Sequence, residues 1–249
     1  MRAFGGFEHN RQALRIVDLL EHPYPDFAGL NLMYETRLGF ARHHGPYDRP
    51  GEGEFSELCP SIEGQIADLA DRIAYNCHDL EDGMRARLID EDQLRGIRLF
   101  ETARIKAGAN SITDRVIRRI RTAKAIIDIL VSDCIDSSTK EIKNSNVKSP
   151  ADIYCRGELL VKLSSHAQKN LEQLEKFLFD NMYTHDVLCK ANSEVPIWLN
   201  AVFEKLCSTP ELMPSYYQGL IRELGLERTV CDYIAGMTDR FCLSILEEI

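Results

Sequence analysis

Between Ile66 and Arg85 the chain reads IADLADRIAYNCHDLEDGMR, a helical pattern that carries Asp68, Asp71, Asp79, Glu81 and Asp82 with a tyrosine, an asparagine and a histidine among them. Each residue of an α-helix advances by about 100°, so Asp71, Tyr75 and Asp79, spaced by four, lie along one drifting stripe. A carboxylate on a rigid helix suits a divalent cation, whose ligands must be held in fixed geometry. One turn on, Tyr75 can stack on a sugar or hydrogen-bond to it, and Asp79 can accept from a hydroxyl. Ile66, Leu69, Ile73 and Leu80 fall elsewhere on the helix and are expected to pack. Ala67, Ala70 and Ala74 leave little bulk beside the acidic stripe. Spacing alone also fits a plainer reading, an exposed acidic helix with Arg72 and Arg85 as its ion-pair partners.

The elements that must position these residues belong to a chain of 249 residues, 44% hydrophobic and 28% charged, which is enough for one large folded domain or two small ones. A net charge of -9 argues against nucleic-acid binding through a broad basic surface, because neutralising phosphates needs clustered Lys and Arg. The local exception is RVIRRIRTAK at 115–124, whose cations can face phosphates or form a solvated face paired with the acidic excess. No apolar run follows Met1 and no window is long enough to span a bilayer, so a cytoplasmic chain with no membrane partner is expected. The eight cysteines show no CxxC pair. They read as small, mostly buried hydrophobes rather than a structural zinc site.

Nearly every periodic segment has the helical period, and the fold class expected is all-α. Helices are predicted at about 10–20, ended by HPYP, at 34–43, and from Pro60-Ser61 to Arg85. An acidic segment at 90–95 precedes a long helix at 111–133 with Ile117, Ile120, Ile126, Ile127 and Leu130 as its apolar stripe. Further helices follow at about 164–182, 195–207, 215–224 and 228–246. Residues 46–60, with two Gly and three Pro, read as a loop. The polar connector at 143–150 suggests a division into 1–145 and 146–249. Trp198, the only tryptophan, reads as a core or interface anchor.

The wording of five blocks goes further than period and composition. GGFEHNRQALRIV (5–17), YPDFAGLNLMYETRLGFARHHGP (24–46), PSIEGQIADLADRIAYNCHDLEDGMRA (60–86), FLFDNMYTH (177–185) and CDYIAGMTDRF (231–241) resemble the deoxyguanosine triphosphate triphosphohydrolase (dGTPase)-like family of HD-domain phosphohydrolases. The resemblance implies an all-α HD-type fold, of which this chain corresponds to the C-terminal portion, and assembly into homo-oligomers. It implies hydrolysis of a dNTP, with dGTP favoured, to the deoxynucleoside and triphosphate by water activated on a divalent metal, Mg or Mn. Carried over by motif, Asp71 is the family's last metal ligand. Tyr75 and Asp79 line the substrate's phosphate and sugar, Tyr183 packs on the deoxyribose, His9 lies near the phosphates, and His185 shares the Tyr183 block.

The family's leading metal ligands stand in an HDLGH-type block upstream of GGFEHN, whereas here RAFGGFEHN begins at Met1. The chain is therefore expected to be truncated and inactive alone, needing a partner chain for that block, or to be a non-catalytic nucleotide-binding or oligomer-forming remnant. His78-Asp79 imitates the HD dyad, but adjacent helix residues point about 100° apart, and the pair is expected to be a decoy.

Overall fold

The protein is described by a computed structural model covering residue 4 and residues 6–43 and 54–247. Among these residues the regular structure is helical throughout, and the all-α expectation holds. The helices are α1 (His9–Arg15), α2 (Tyr34–Ala41), α3 (Ile62–Arg85), α4 (Arg98–Lys106), α5 (Arg115–Asn144), α6 (Pro150–Tyr154), α7 (Ser165–Leu178), α8 (Asp186–Ser208), α9 (Ser215–Leu224), α10 (Leu226–Ala235) and α11 (Asp239–Glu247). Single π-helical turns extend α1 over Ile16–Leu20 and α7 over Phe179–Tyr183.

Several of these helices differ from the periodic reading: α6 has no predicted counterpart, α8 starts at Asp186 rather than near 195, and the helix expected over 228–246 is divided into α10 and α11. The prediction has no counterpart for α4, a nine-residue helix that starts after Ile97 without a side-chain cap, so its start carried no signal. It forms because Leu99, Phe100 and Ala103 bury one face. The long helix starts at Arg115 behind the Asp114 cap and runs to Asn144 rather than ending near Asp133. Its last third escapes the apolar pattern because the inward position there is Ser138. That hydroxyl is buried and satisfied by the backbone of Lys162, accepting from its N–H at 3.0 Å. Of the predicted stripe, Ile126 and Leu130 are fully buried, but Ile117 is half exposed. Of the loop predicted at 46–60, residues 46–53 lie outside the described residues.

The chain divides into two compact units, Met33–His185 and the combination of Met1–Leu32 with Asp186–Ile249. The cuts fall at 32/33 and 185/186 instead of 145/146. The connector at 143–150 stays inside the first of these units because Asp152 closes a capping box onto Ser149. Just beyond, the backbone N–H groups of Leu160 and Val161 donate to the side chain of Gln65 on α3, at 2.8 and 3.1 Å.

The unit of 33–185 is built around α3, with α5 and α7 against it and α4 between α5 and α7. The other unit buries Val202, Leu206, Met213, Val230 and Cys242, with Trp198 packed against them. In that unit Asp232 is buried and ion-paired to Arg15, and His22 stacks on Tyr216 with ring centroids 3.6 Å apart. Gln12 is buried with both amide atoms lacking a hydrogen-bond partner among the described residues. An unpaired buried amide costs about 1–3 kcal/mol, so Gln12→Met is expected to stabilise the fold by about 1–2 kcal/mol, read as an upward shift of the thermal midpoint.

Candidate functional site

α3 begins cleanly because the Ser61 hydroxyl accepts from the Gly64 N–H at 3.2 Å and Glu63 sits in the first turn. Leu69, Ile73, Cys77 and Leu80 recur at three- and four-residue spacing and are all buried. Burial pushes the Cys77 thiol up to about 12, which keeps it neutral and unreactive. The opposite face carries Ala67, Ala70, Asp71, Tyr75 and His78, all exposed. Ile66 joins that exposed face, 51% accessible, rather than packing as its sequence position suggested.

Three contacts bring the end of α7 onto this helix. The Arg72 guanidinium donates to Glu175 through Nε at 2.7 Å and Nη2 at 2.8 Å, and Asn76 Nδ2 donates to the same carboxylate at 3.0 Å. Arg72 is therefore a clamp between helices and not the surface partner of the acidic stripe, while Arg85 does pair with Asp82. Glu175 is the acceptor that makes the clamp work. Further along, Gly83 lets Met182 approach: a Cβ at that position would sit 2.8 Å from the Met182 sulfur and 2.8 Å from Ile89 Cδ1.

The π turn after α7 then sets Tyr183 over the Tyr75–Asp79 stretch of α3. The Tyr183 hydroxyl donates to Asp79 Oδ2 and lies 2.5 Å from the Tyr75 hydroxyl. A phenol has one proton, so with Tyr183 donating to the carboxylate, Tyr75 is left to donate to Tyr183. The two rings are nearly parallel, 12° apart with centroids 6.4 Å apart. Burial and the bond to Asp79 raise the Tyr183 pKa, so its phenol stays protonated and remains a donor. Residues 108 and 104 positions apart thus form one polar patch, bounded by two aromatic faces.

Asp71 lies two turns before Asp79 on α3, about 12 Å along the axis. It is exposed and lines a cleft of about 850 Å³ with Met33, Phe40, Ala67, Asp68 and Tyr154. Within it, His43 Nδ1 is 2.6 Å from Asp68 Oδ1. Among the described residues no three His, Cys, Asp or Glu side chains converge closely enough to hold an ion. Asp71 offers one carboxylate, which falls short of the donor set of a divalent cation, so no metal-dependent step follows from these residues.

The predicted site residues therefore fall into three groups. Tyr75, Asp79 and Tyr183 are in mutual contact, and Asp71 shares their helix face. His185 follows two residues after Tyr183, half-buried, its N–H bonded to the Met182 carbonyl. His9 opens α1 in the other compact unit. His78 is exposed while Asp79 turns towards Tyr183, so that pair diverges as expected. The clamp of Arg72, Asn76 and Glu175 was missed. Its only sequence signal was an acid on α7 at a distance of about a hundred residues, which no local pattern connects to α3.

Residues 161–248 match the family model described as a phosphohydrolase-associated domain. The chain is 40% identical over 248 residues to a deoxyguanosinetriphosphate triphosphohydrolase-like protein of Geobacter sulfurreducens, covering 98% of this chain and 64% of that protein. The proteins of the same name from Geobacter metallireducens and Caulobacter vibrioides are 39% and 34% identical, each covering 98% of this chain and 64% and 66% of their own lengths. The chain thus spans less than two thirds of the length of the curated relatives it matches, and over nearly its whole length it is similar to deoxyguanosinetriphosphate triphosphohydrolase-like proteins.

Proposed function

We infer that this chain carries the sugar-binding part of a dNTP triphosphohydrolase, with dGTP the favoured substrate. The observation that carries this reading is the contact of Tyr183 with Asp79 and Tyr75, which joins two family-like blocks into one hydrogen-bonding patch. Two parallel phenol rings offer apolar faces to a deoxyribose. The Asp79 carboxylate accepts from its 3′-hydroxyl, an interaction with a charged group that contributes about 1.5–3 kcal/mol. His185 extends the same wall.

In this proposal Asp71 would supply one carboxylate to an Mg or Mn ion, and the chemistry such an ion would add is polarisation of a water and neutralisation of phosphate charge. For His9 the proposed place near the phosphates rests on the resemblance alone. The chain by itself then binds the nucleotide without cleaving it, in a cytoplasmic setting where dNTPs are available.

Calorimetric titration of dGTP into the chain without added metal tests the reading. Binding is expected, with Tyr183→Ala and Tyr75→Ala each raising the Kd by about 10–100-fold, from the lost ring contact and hydrogen bond. Unchanged binding in both variants would sink it. Release of triphosphate should appear only when Mn and the part of a relative that this chain does not match are added together.

A further inference from the structure

The ion pair that seats α7 on α3 also bears on which charge the neighbouring patch accepts. Arg72 precedes Asp79 by seven residues, so the two share one face of α3, about 20° apart in direction and about 10 Å apart along the axis. Tyr75 lies between them. From Asp68 to Asp82 this helix carries five acids, with Arg72 as its one Lys or Arg. All three guanidinium nitrogens are engaged: Nε and Nη2 donate to the two oxygens of Glu175 at 2.7 and 2.8 Å, and Nη1 donates to Gln168 Oε1 at 3.3 Å. Both side chains of the pair are about two thirds withdrawn from solvent, which makes this two-pronged contact stronger than an open surface bridge.

With the sugar's 3′-hydroxyl on Asp79, the 5′ end and its phosphates lead back along α3 towards Asp71 and Arg72. A phosphate arriving there meets the exposed Asp71 carboxylate and an arginine whose charge Glu175 already balances. Arg85 and Lys176, further along the two helices, are paired as well, with Asp82 and Asp180. The two phenols carry no charge, and Asp79 calls for a neutral hydroxyl donor. The patch suits a sugar and repels a polyanion that brings no cation of its own.

We propose that Glu175 sets the ligand preference of this patch: by holding Arg72 it makes the metal-free chain bind the neutral deoxynucleoside, the product of dNTP hydrolysis, in preference to the triphosphate. This rests on the sugar-binding reading and adds a charge selectivity to it.

Calorimetric titrations of deoxyguanosine and of dGTP, both without metal, give the ratio of the two Kd values. At about 0.05 M salt deoxyguanosine is expected to bind about tenfold more tightly or better, and about 0.5 M salt narrows the gap, because repulsion between exposed charges is screened. Glu175→Gln keeps the size of the side chain and an acceptor for Arg72 but removes the charge. It is expected to tighten dGTP binding about tenfold and to leave deoxyguanosine within about twofold, a split that loosened helix packing would not produce. Adding Arg72→Gln to that variant should cancel the gain. A chain that binds dGTP as tightly as deoxyguanosine at low salt overturns the proposal, as does a ratio that either salt or Glu175→Gln leaves unchanged. In those cases deoxyguanosine binding that Tyr183→Ala weakens leaves the sugar-binding reading standing. Deoxyguanosine that fails to bind, or that ignores Tyr183→Ala, overturns both.

Discussion

Asp232→Ala is expected to destabilise the unit built from the two chain ends by about 3–5 kcal/mol, the largest single-residue effect foreseen here. The Asp232 side chain has no accessible surface, and it accepts from Arg15 Nε at 3.0 Å and from Arg15 Nη2, with Arg228 Nη1 3.8 Å away. Deleting the carboxylate strands two largely buried guanidinium groups without an anion, and that uncompensated charge is what makes the loss large. Replacing Arg15 and Asp232 together with leucine should recover much of the deficit, because the pair's own attraction barely exceeds its desolvation cost.

The pH dependence has a definite sign. The carboxylate raises the Arg15 pKa above its already high value, so stability from the arginine is present throughout the working range and is lost only in strong alkali. Trp198 packs on this unit's core and is the only tryptophan, so its fluorescence in a urea titration reports this unit alone. A shift worth less than about 1 kcal/mol would mean that the pair behaves like a surface bridge.

Gln65→Leu comes next, with an expected cost of about 2–5 kcal/mol. The Gln65 amide is buried on α3, accepts from the N–H groups of both Leu160 and Val161, and donates to the Pro60 carbonyl at 3.1 Å. Leucine fills the volume but leaves two buried donors and one acceptor unmet. The segment that loosens leads directly into the Ser164 cap of α7, and α7 carries Tyr183 to Asp79. Amide exchange at Leu160 and Val161 should accelerate, and dGTP binding should weaken with Tyr75 and Asp79 untouched. Unaltered exchange at those two amides would show that the glutamine is not what holds the segment.

The helices with capped starts and regular apolar spacing were legible. α3 runs from the Ser61 cap with Leu69, Ile73 and Leu80 inward, because a periodic apolar stripe and a capping hydroxyl act over a few residues. α4 and the end of α5 were not legible. α4 has no cap, and the inward position near the end of α5 is Ser138, whose partner is the backbone 24 residues away. The exposure of Ile66 and Ile117 was hidden for a related reason: periodicity says which residues share a face, not what covers it.

Residue identity and local period therefore determined the class of fold, the likeness to the curated relatives, and the stripe of Asp71, Tyr75 and Asp79, since each depends on neighbours within a turn or two or on the wording of short blocks. Only the tertiary structure decided that Tyr183 reaches Asp79 and Tyr75, that Arg72 is spent on Glu175, and that Asp71 faces an open cleft with too few donors beside it, among the described residues, for a metal. Those outcomes depend on the Arg72–Glu175 clamp and the gap at Gly83, contacts about a hundred residues apart in the chain that become neighbours only when α7 packs on α3.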